Sequence, residues 1–424
     1  MKLVKLSLAA AIAASTLVSS ASAVALEEAI KDVDLSGMAF VRYQNAKRDA
    51  YVADGNWWKF KSVLTLKTKI DDNFFMLAGF QYGAAKEWGS SGDPANHNQA
   101  IENKGFNTDK TFNVTQALLG YNIGGTTVMV GRYALGTFFT DDMLGTGIKV
   151  VNTDVQGLTL AALWADALQN DGDVLGTIDD GSQNGLDVRN AIAKAVQRDV
   201  LSHNLYGVAA IGSYDPVAFQ IWYASLQDVA NLFAIEAGLN FNITDDVNLG
   251  VTGQYAFTDM DGDLKEKLPA AVDSKFAAGK ASLGAFGFDM SAGYVYYKAK
   301  DGGISLSSLD DNGQFIAAGQ VLVPDSGVSS YHAYTGKNDY WFVTAGYKIP
   351  NTGVSFGVDY VDGKFQSGTV VTGAEEFKAK EIVGRLGYKY NKKLNFTSWY
   401  SYIDYDPETM VDDKTFRVQA QYKF

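Results

Sequence analysis

The 424-residue chain contains no cysteine, so it has neither a disulfide framework nor a thiolate metal site. Histidine is limited to His97, His203 and His332, and no cluster has the spacing of a zinc site. Proline occurs only 6 times, against 23 Tyr and 24 Phe, a balance that suits strands and disfavours a disordered chain. Beyond the N-terminal segment no stretch approaches the roughly 20 apolar residues of a spanning helix, and the mean hydropathy is that of a soluble protein. Positive charge is in the minority: 36 Lys and Arg face 48 Asp and Glu, a net charge of −12 that argues against a nucleic-acid partner.

What is present begins with "MKLVKLSLAAAIAASTLVSSASA", residues 1–23. Two lysines, a short apolar stretch rich in Ala and Ser, and Ala21-Ser22-Ala23 follow the order of a secretory signal peptide. Cleavage after Ala23 removes Lys2 and Lys5 and takes the net charge from −12 to −14. The remaining residues, 24–424, read as one domain.

That domain is a succession of alternating strands whose breaks are short and long in turn. Short breaks are Asp71 to Asn73, Asn122 to Gly125, Ser213 to Pro216, Thr244 to Asp246, Pro350 to Gly353 and Asn391 to Lys393. Long polar stretches are Gln44 to Asn56, Ala85 to Lys110, Asp166 to Ser202, Thr258 to Ser274, Lys300 to Asn338 and Gln366 to Phe377. Tight turns at one end and long loops at the other are the pattern of an all-β transmembrane antiparallel barrel with short periplasmic turns and long extracellular loops. The count is about eighteen strands, from Val33–Tyr43 to Thr415–Phe424; without the sixth, Gly147 to Asn152, it falls to sixteen or seventeen. An even count returns both ends of the chain to the periplasmic side. One loop segment, "LDVRNAIAKAVQRDV", places Val188, Ile192, Ala195 and Val196 at helical spacing and reads as either a short helix or a solvated loop.

The second strand assigns the faces. Trp58, Phe60, Leu64, Leu66 and Ile70 share one side, and Lys59, Lys61, Lys67 and Lys69 the other. A lysine facing lipid at mid-bilayer costs about 2–4 kcal/mol, so the four face water or the interface. Aromatics recur near strand ends, as at Tyr294, Tyr296 and Tyr297 or Tyr388 and Tyr390, where interfacial girdles form. Polar residues such as Glu236, Asn240, Gln254, Glu381 and Arg385 alternate with them and suit a water-filled lumen, which a barrel of this size accommodates. In the last strand, "TFRVQAQYKF", Phe416, Val418, Ala420, Tyr422 and Phe424 lie on the lipid side; pairing with the first strand leaves no free edge.

The opening "MKLVKLSLAA", the stretch "LEEAIKDVDLSG" from Leu26 to Gly37, and the final "QYKF" resemble the major outer membrane porin family of Campylobacter and related epsilonproteobacteria. The resemblance implies an eighteen-stranded homotrimeric general porin that passes small hydrophilic solutes and ions with mild cation preference. A last strand ending in Phe also resembles the assembly signal of bacterial outer-membrane barrels, which makes Phe424 and Tyr422 candidates for recognition by the barrel assembly machinery. In trimeric porins the loop after the fifth strand usually enters the lumen. Here it reads "GTFFTDDMLGTG", Gly136 to Gly147. Asp141 and Asp142 would then face a basic wall of Arg42, Lys59, Lys61 and Arg132, setting up a transverse field across the pore.

Other motifs are weaker. Asp259, Asp261 and Asp263 in "DMDGD" resemble the start of a calcium loop, but the Gly falls early and no Glu occupies the twelfth place, so a solvated loop tip competes with a weak calcium site. Divalent ions could also bridge such loops to lipopolysaccharide. "GVSFG", Gly353 to Gly357, matches a hydrolase pattern but lies in a strand with no helix following, and Ser202 and His203 are adjacent and point apart. The chain therefore reads as a non-enzyme without a required cofactor. Two other functions compete with a general porin: a substrate-specific channel, marked by a continuous basic or aromatic track in its lumen, and a non-conducting barrel acting as an adhesin or structural protein.

Overall fold

The computed structural model of the chain describes residues 33–48, 55–89, 112–169, 191–300, 303–309, 312–324, 334–369, 373–406 and 412–424. The leader, the first part of "LEEAIKDVDLSG", Val188, His97 and His332 lie outside the described residues. Among the described residues no helix is long and apolar enough to cross a membrane.

Eighteen strands form one antiparallel sheet closed on itself. They are β1 (Val33–Arg48), β2 (Gly55–Lys69), β3 (Phe74–Gly89), β4 (Phe112–Ile123), β5 (Thr126–Ala134) and β6 (Leu144–Asn152). Next come β7 (Leu158–Gln169), β8 (Leu205–Tyr214), β9 (Val217–Leu226), β10 (Ala230–Thr244), β11 (Val247–Met260) and β12 (Ser274–Ala285). The circuit ends with β13 (Phe288–Ala299), β14 (Lys337–Lys348), β15 (Val354–Thr369), β16 (Gly373–Lys389), β17 (Leu394–Asp406) and β18 (Asp413–Lys423). Each strand pairs with its neighbours in sequence, and β18 pairs with β1 from Met38↔Lys423 to Arg48↔Asp413. Closure satisfies every wall strand on both sides, which a lipid environment demands because no water there can pair a free edge.

The short turns are built from local side-chain chemistry. Asp71 Oδ1 accepts from the amides of Asn73 and Phe74 at 2.8 and 2.7 Å, and Asn391 Oδ1 accepts from Lys393 and Leu394, each at 2.8 Å. Both are Asx turns, in which the side chain replaces a backbone acceptor and reverses the chain within a few residues. Above and below, the period-2 pattern sorts the side chains. Val41, Trp58, Val130, Val208, Val251, Trp341 and Ile382 are exposed on the outside, while Gln44, Lys61, Gln254, Tyr340 and Glu381 are buried inside. Outer aromatics form ladders close to the short turns, including Phe74–Tyr121 at 4.6 Å between centroids, Phe288–Tyr347 at 4.5 Å and Tyr347–Phe356 at 5.7 Å.

Several boundaries differ from the sequence expectation, because strands run on into the expected loops, as β3 does to Gly89 and β7 to Gln169. The described residues of Gln44–Asn56 and Gln366–Phe377 are strand, since β1 and β2 pair as far as Ala46↔Gly55 and β15 and β16 as far as Thr369↔Gly373. A strand of 17 residues, β16, rises about 40 Å when tilted, well beyond the roughly 25 Å apolar band. Beyond that band both faces meet water, so apolar alternation stops while the ladder continues; Lys364 and Glu376 pair there at 3.8 Å. The sixth strand begins at Leu144, not Gly147. Of the two readings left open for the segment around Ile192, the helix is the one present, at 191–196, with Ile192 buried. A second helix, Gly262–Lys267, occupies part of the expected polar loop.

Candidate functional site

The lumen is narrowed by two chain segments. The first is the connection 135–143 between β5 and β6. Its Leu135, Phe138, Phe139 and Met143 are fully buried, and Lys149 Nζ on β6 donates to the Leu135 carbonyl at 2.8 Å. The second belongs to the connection between β13 and β14, described over 303–309 and 312–324. It meets the first segment directly: Leu309 N donates to Phe139 O at 2.7 Å, and Gln314 N to Phe138 O at 2.8 Å. Phe138 and Phe276 each pack edge-on against Phe315, at 4.9 and 4.6 Å. Apolar side chains inside the barrel are therefore covered by the two segments and not left against water.

Polar wall residues fix the second segment. Gln254 Oε1 accepts from Ile316 N at 2.7 Å, and its Nε2 donates to Gln314 O at 3.0 Å. Gln220 Nε2 donates to Glu236 Oε1 at 2.9 Å and reaches Gln314 Oε1 at 3.2 Å. Further round, Glu381 on β16 accepts backbone amides of residues 320–322.

The opposite wall, β18-β1-β2, carries the positive charge. Arg42 is opposite Lys59 on one side and Gln419 on the other, and its Nε donates to Gln419 Oε1 at 2.7 Å. Arg417 donates to Gln44, its cross-strand partner. Both guanidinium groups lie over aromatic rings, Arg42 over Phe40 at 4.7 Å and Arg417 over Trp399 at 4.8 Å, which restricts their rotamers. Lys61, two residues along from Lys59 on the same face, meets Asp142 of the first inward segment at 3.4 Å. The structure thus brings Arg42, Lys59, Lys61 and Asp142 to one region of the lumen, with Asp141 beside Asp142 on the same segment.

Arg132 does not join them. It shares the outer face of β5 with Val130, and its guanidinium donates to Gln169 at the end of β7. The inward residue is its neighbour Tyr133, whose hydroxyl donates to Trp164 O at 2.7 Å. The expected loop also shrinks, because β6 absorbs Leu144 to Gly147 into its ladder. The calcium-like triplet is not assembled either. Asp261 caps the helix Gly262–Lys267 by accepting from Asp263 N and Leu264 N, while Asp259 pairs with Lys265 at 2.9 Å. Among the described residues no group of three or more His, Asp or Glu side chains is placed to hold a metal ion. Ser355 of the hydrolase-like pattern lies in β15, and Ser202 Oγ donates to Asp199 O and not to His203.

The profile of the Campylobacter major outer membrane protein matches residues 1–424, the whole sequence. The chain belongs to this family. Among solved structures it is similar to OccK5 (OpdH) of Pseudomonas aeruginosa, with a TM-score of 0.66 at 14% identity, covering 93% of this chain and 98% of that one. It is similar to Pseudomonas aeruginosa OpdL with a TM-score of 0.67 at 12% identity, over 93% and 99% of the two chains. Acinetobacter baumannii OccAB3 gives 0.63 at 15% identity, over 92% and 100%. At such identities the likeness is one of fold. A comparison with curated proteins finds no match. This member of the Campylobacter major outer membrane protein family is an outer-membrane porin, integral to that membrane.

Sequence reasoning missed two parts of this porin's lumen. Arg417 was legible as inward-facing by its parity with Gln419, but its place beside Arg42 needs the closure register. The second inward segment lay within a polar stretch that gave no sign of its direction. Its signal is "FIAAGQVLV", Phe315 to Val323, too apolar for a solvated loop.

Proposed function

We propose that this protein is a general diffusion porin that passes small hydrophilic solutes and ions with mild cation preference. The observation that carries the reading is the Lys61–Asp142 pair, which sets an inward acidic segment against the basic wall. A narrowed lumen with opposed charges admits hydrated solutes by size and orients dipolar ones, while rejecting large apolar molecules. The preference for cations rests on the acidic balance of the chain and on Asp141 and Asp142 at the narrow zone. Assembly as a homotrimer, contact of the outer loops with lipopolysaccharide, and recognition of Phe424 and Tyr422 during insertion belong to the same reading.

A second reading has its own support. Arg417, Arg42, Lys59 and Lys61 occupy adjacent inward positions on three consecutive strands. That is a basic track, the mark of a channel selective for anionic solutes such as carboxylates.

Single-channel recording of the purified protein in a planar bilayer, with solute uptake into proteoliposomes, tests both. Steady ohmic conductance in groups of three equal steps, with uptake falling by solute size alone, supports the general porin. Faster uptake of a carboxylated solute than of a neutral one of equal size supports the selective channel. Silence overturns both.

A further inference from the structure

The second inward segment has a tether more specific than packing. Glu381 is fully buried on the inner face of β16 and uses both carboxylate oxygens. Its Oε1 accepts from Gln320 N at 3.0 Å, from Val321 N at 2.9 Å and from Ser401 Oγ of β17 at 2.6 Å. Its Oε2 accepts from Leu322 N at 3.1 Å. Three consecutive amides converging on one anion make a backbone nest, a geometry that favours negative charge. The nest depends on Gly319, which has a φ of +82°; a Cβ there would lie 1.9 Å from Glu381 Oε2. Val321, Leu322 and Val323 are then pressed against the wall, fully buried.

We propose that Glu381 is the pin that holds residues 312–324 folded into the lumen and thereby fixes the width of the open pore. The inference rests on the porin reading. It adds a residue that sets the size limit without lining the narrow zone. Nothing in a barrel strand needs a buried carboxylate for its own ladder, and an unpaired one there would be costly. The folded segment shuts Glu381 away from the lumen water, and the nest supplies the donors that replace that water. The Gln254 contacts hold the Gln314–Ile316 end, and Glu381 holds the Gln320–Leu322 end.

Glu381→Gln tests this, because its side-chain N–H₂ would oppose a backbone N–H where an oxygen now accepts. Gly319→Ala tests it from the other side, by closing the nest while leaving every barrel strand untouched. Both are compared with the parent in full-length protein, after heat-modifiable mobility has shown a folded barrel. The expected result is a conductance raised about twofold or more, with passage of larger uncharged solutes. A second readout uses the absence of native cysteine. In a Val321→Cys background, a hydrophilic maleimide should react about tenfold faster or more once Glu381 is replaced, because the local opening has become cheaper. Unchanged conductance and unchanged labelling in both variants overturn the pin. If Glu381→Gln fails to fold, Gly319→Ala decides alone. If the parent protein does not conduct, the porin reading fails, and the labelling arm still decides whether Glu381 holds the segment.

Discussion

Lys61 of β2 and Asp142 of the 135–143 segment are in contact on the inner side of the barrel, with Nζ 3.4 Å from Oδ2, the lysine side chain 6% exposed and the aspartate 38%. Neutralising either partner changes the field that a permeating ion meets. At a few ångströms in a water-like medium one unit of charge is worth about 0.5–1 kcal/mol, roughly two- to fivefold in an ion ratio. Asp142→Asn should therefore lower the cation-to-anion permeability ratio by about that factor, and by more when combined with Asp141→Asn, while Lys61→Met should raise it. The measurement is the reversal potential in a salt gradient. A potential unmoved by both changes removes the pair from the ion path.

The two arginines nearest the question behave oppositely. Arg417 points into the lumen beside Arg42, and Arg132 points outward beside Gln169. Arg417→Gln should shift the reversal potential in the same direction as Lys61→Met, by a similar factor of about two. Arg132→Gln should leave it unchanged. Equal shifts from the two would contradict the assigned strand parity of β5.

Much of the barrel was legible because its rules are local. Alternation gives strands, and Asp71 and Asn391 give tight turns through their own side chains. The inward direction of Lys59 and Lys61 follows from the cost of charge in lipid. Arg132 was misplaced for a physical reason as well: near the loop end of β5 the outer face meets water or headgroups, so a charge is tolerated there and parity must be counted from Val130 and Tyr133. The second inward segment is marked by its apolar run, but where it docks was illegible because the wall contacts that fix it are distant in sequence. Glu381 is about sixty positions from the amides it accepts, and no periodicity within 312–324 reports that meeting.

His203 offers a test by pH at the loop end of the barrel. It is 1% exposed, with Nδ1 3.7 Å from Asp228 Oδ2. Burial, then the nearby Arg198 charge, lowers its pKa below the ordinary 6.5, against the opposing pull of Asp228. An opened segment takes up a proton near pH 6.5, and the packed one only at lower pH. The packed arrangement is therefore fully favoured above 6.5 and loses stability as pH falls from there toward the lowered value. Amide exchange across 198–204, corrected for its intrinsic pH dependence, should accelerate on acidification by up to about tenfold per pH unit. His203→Gln should flatten the profile. A profile that is already flat in the parent would show that His203 titrates alike in the packed and open states.

The seam between β18 and β1 gives the last test. Phe424 N donates to Gly37 O and Gly37 N to Phe424 O, both at 3.0 Å. The Phe424 ring stacks on Tyr422 at 5.8 Å and lies over Gly37, where an added Cβ would come within 2.8 Å of the ring and 2.3 Å of Val63 O. Gly37→Ala therefore strains the β1–β2 ladder as well as the ring seat, and should lower the stability of refolded protein by about 1–3 kcal/mol. Deleting Phe424 removes one terminal pair and a ring that is still partly exposed, about 1–2 kcal/mol at most, from a barrel closed by the whole β18–β1 register. Refolded protein without Phe424 should then keep nearly normal heat-modifiable mobility. If the residue serves recognition during insertion, the same deletion should sharply reduce the folded fraction recovered from cells. The two preparations are compared side by side on one gel. Equal loss in both would make Phe424 a structural residue of the seam and end its role as an assembly signal.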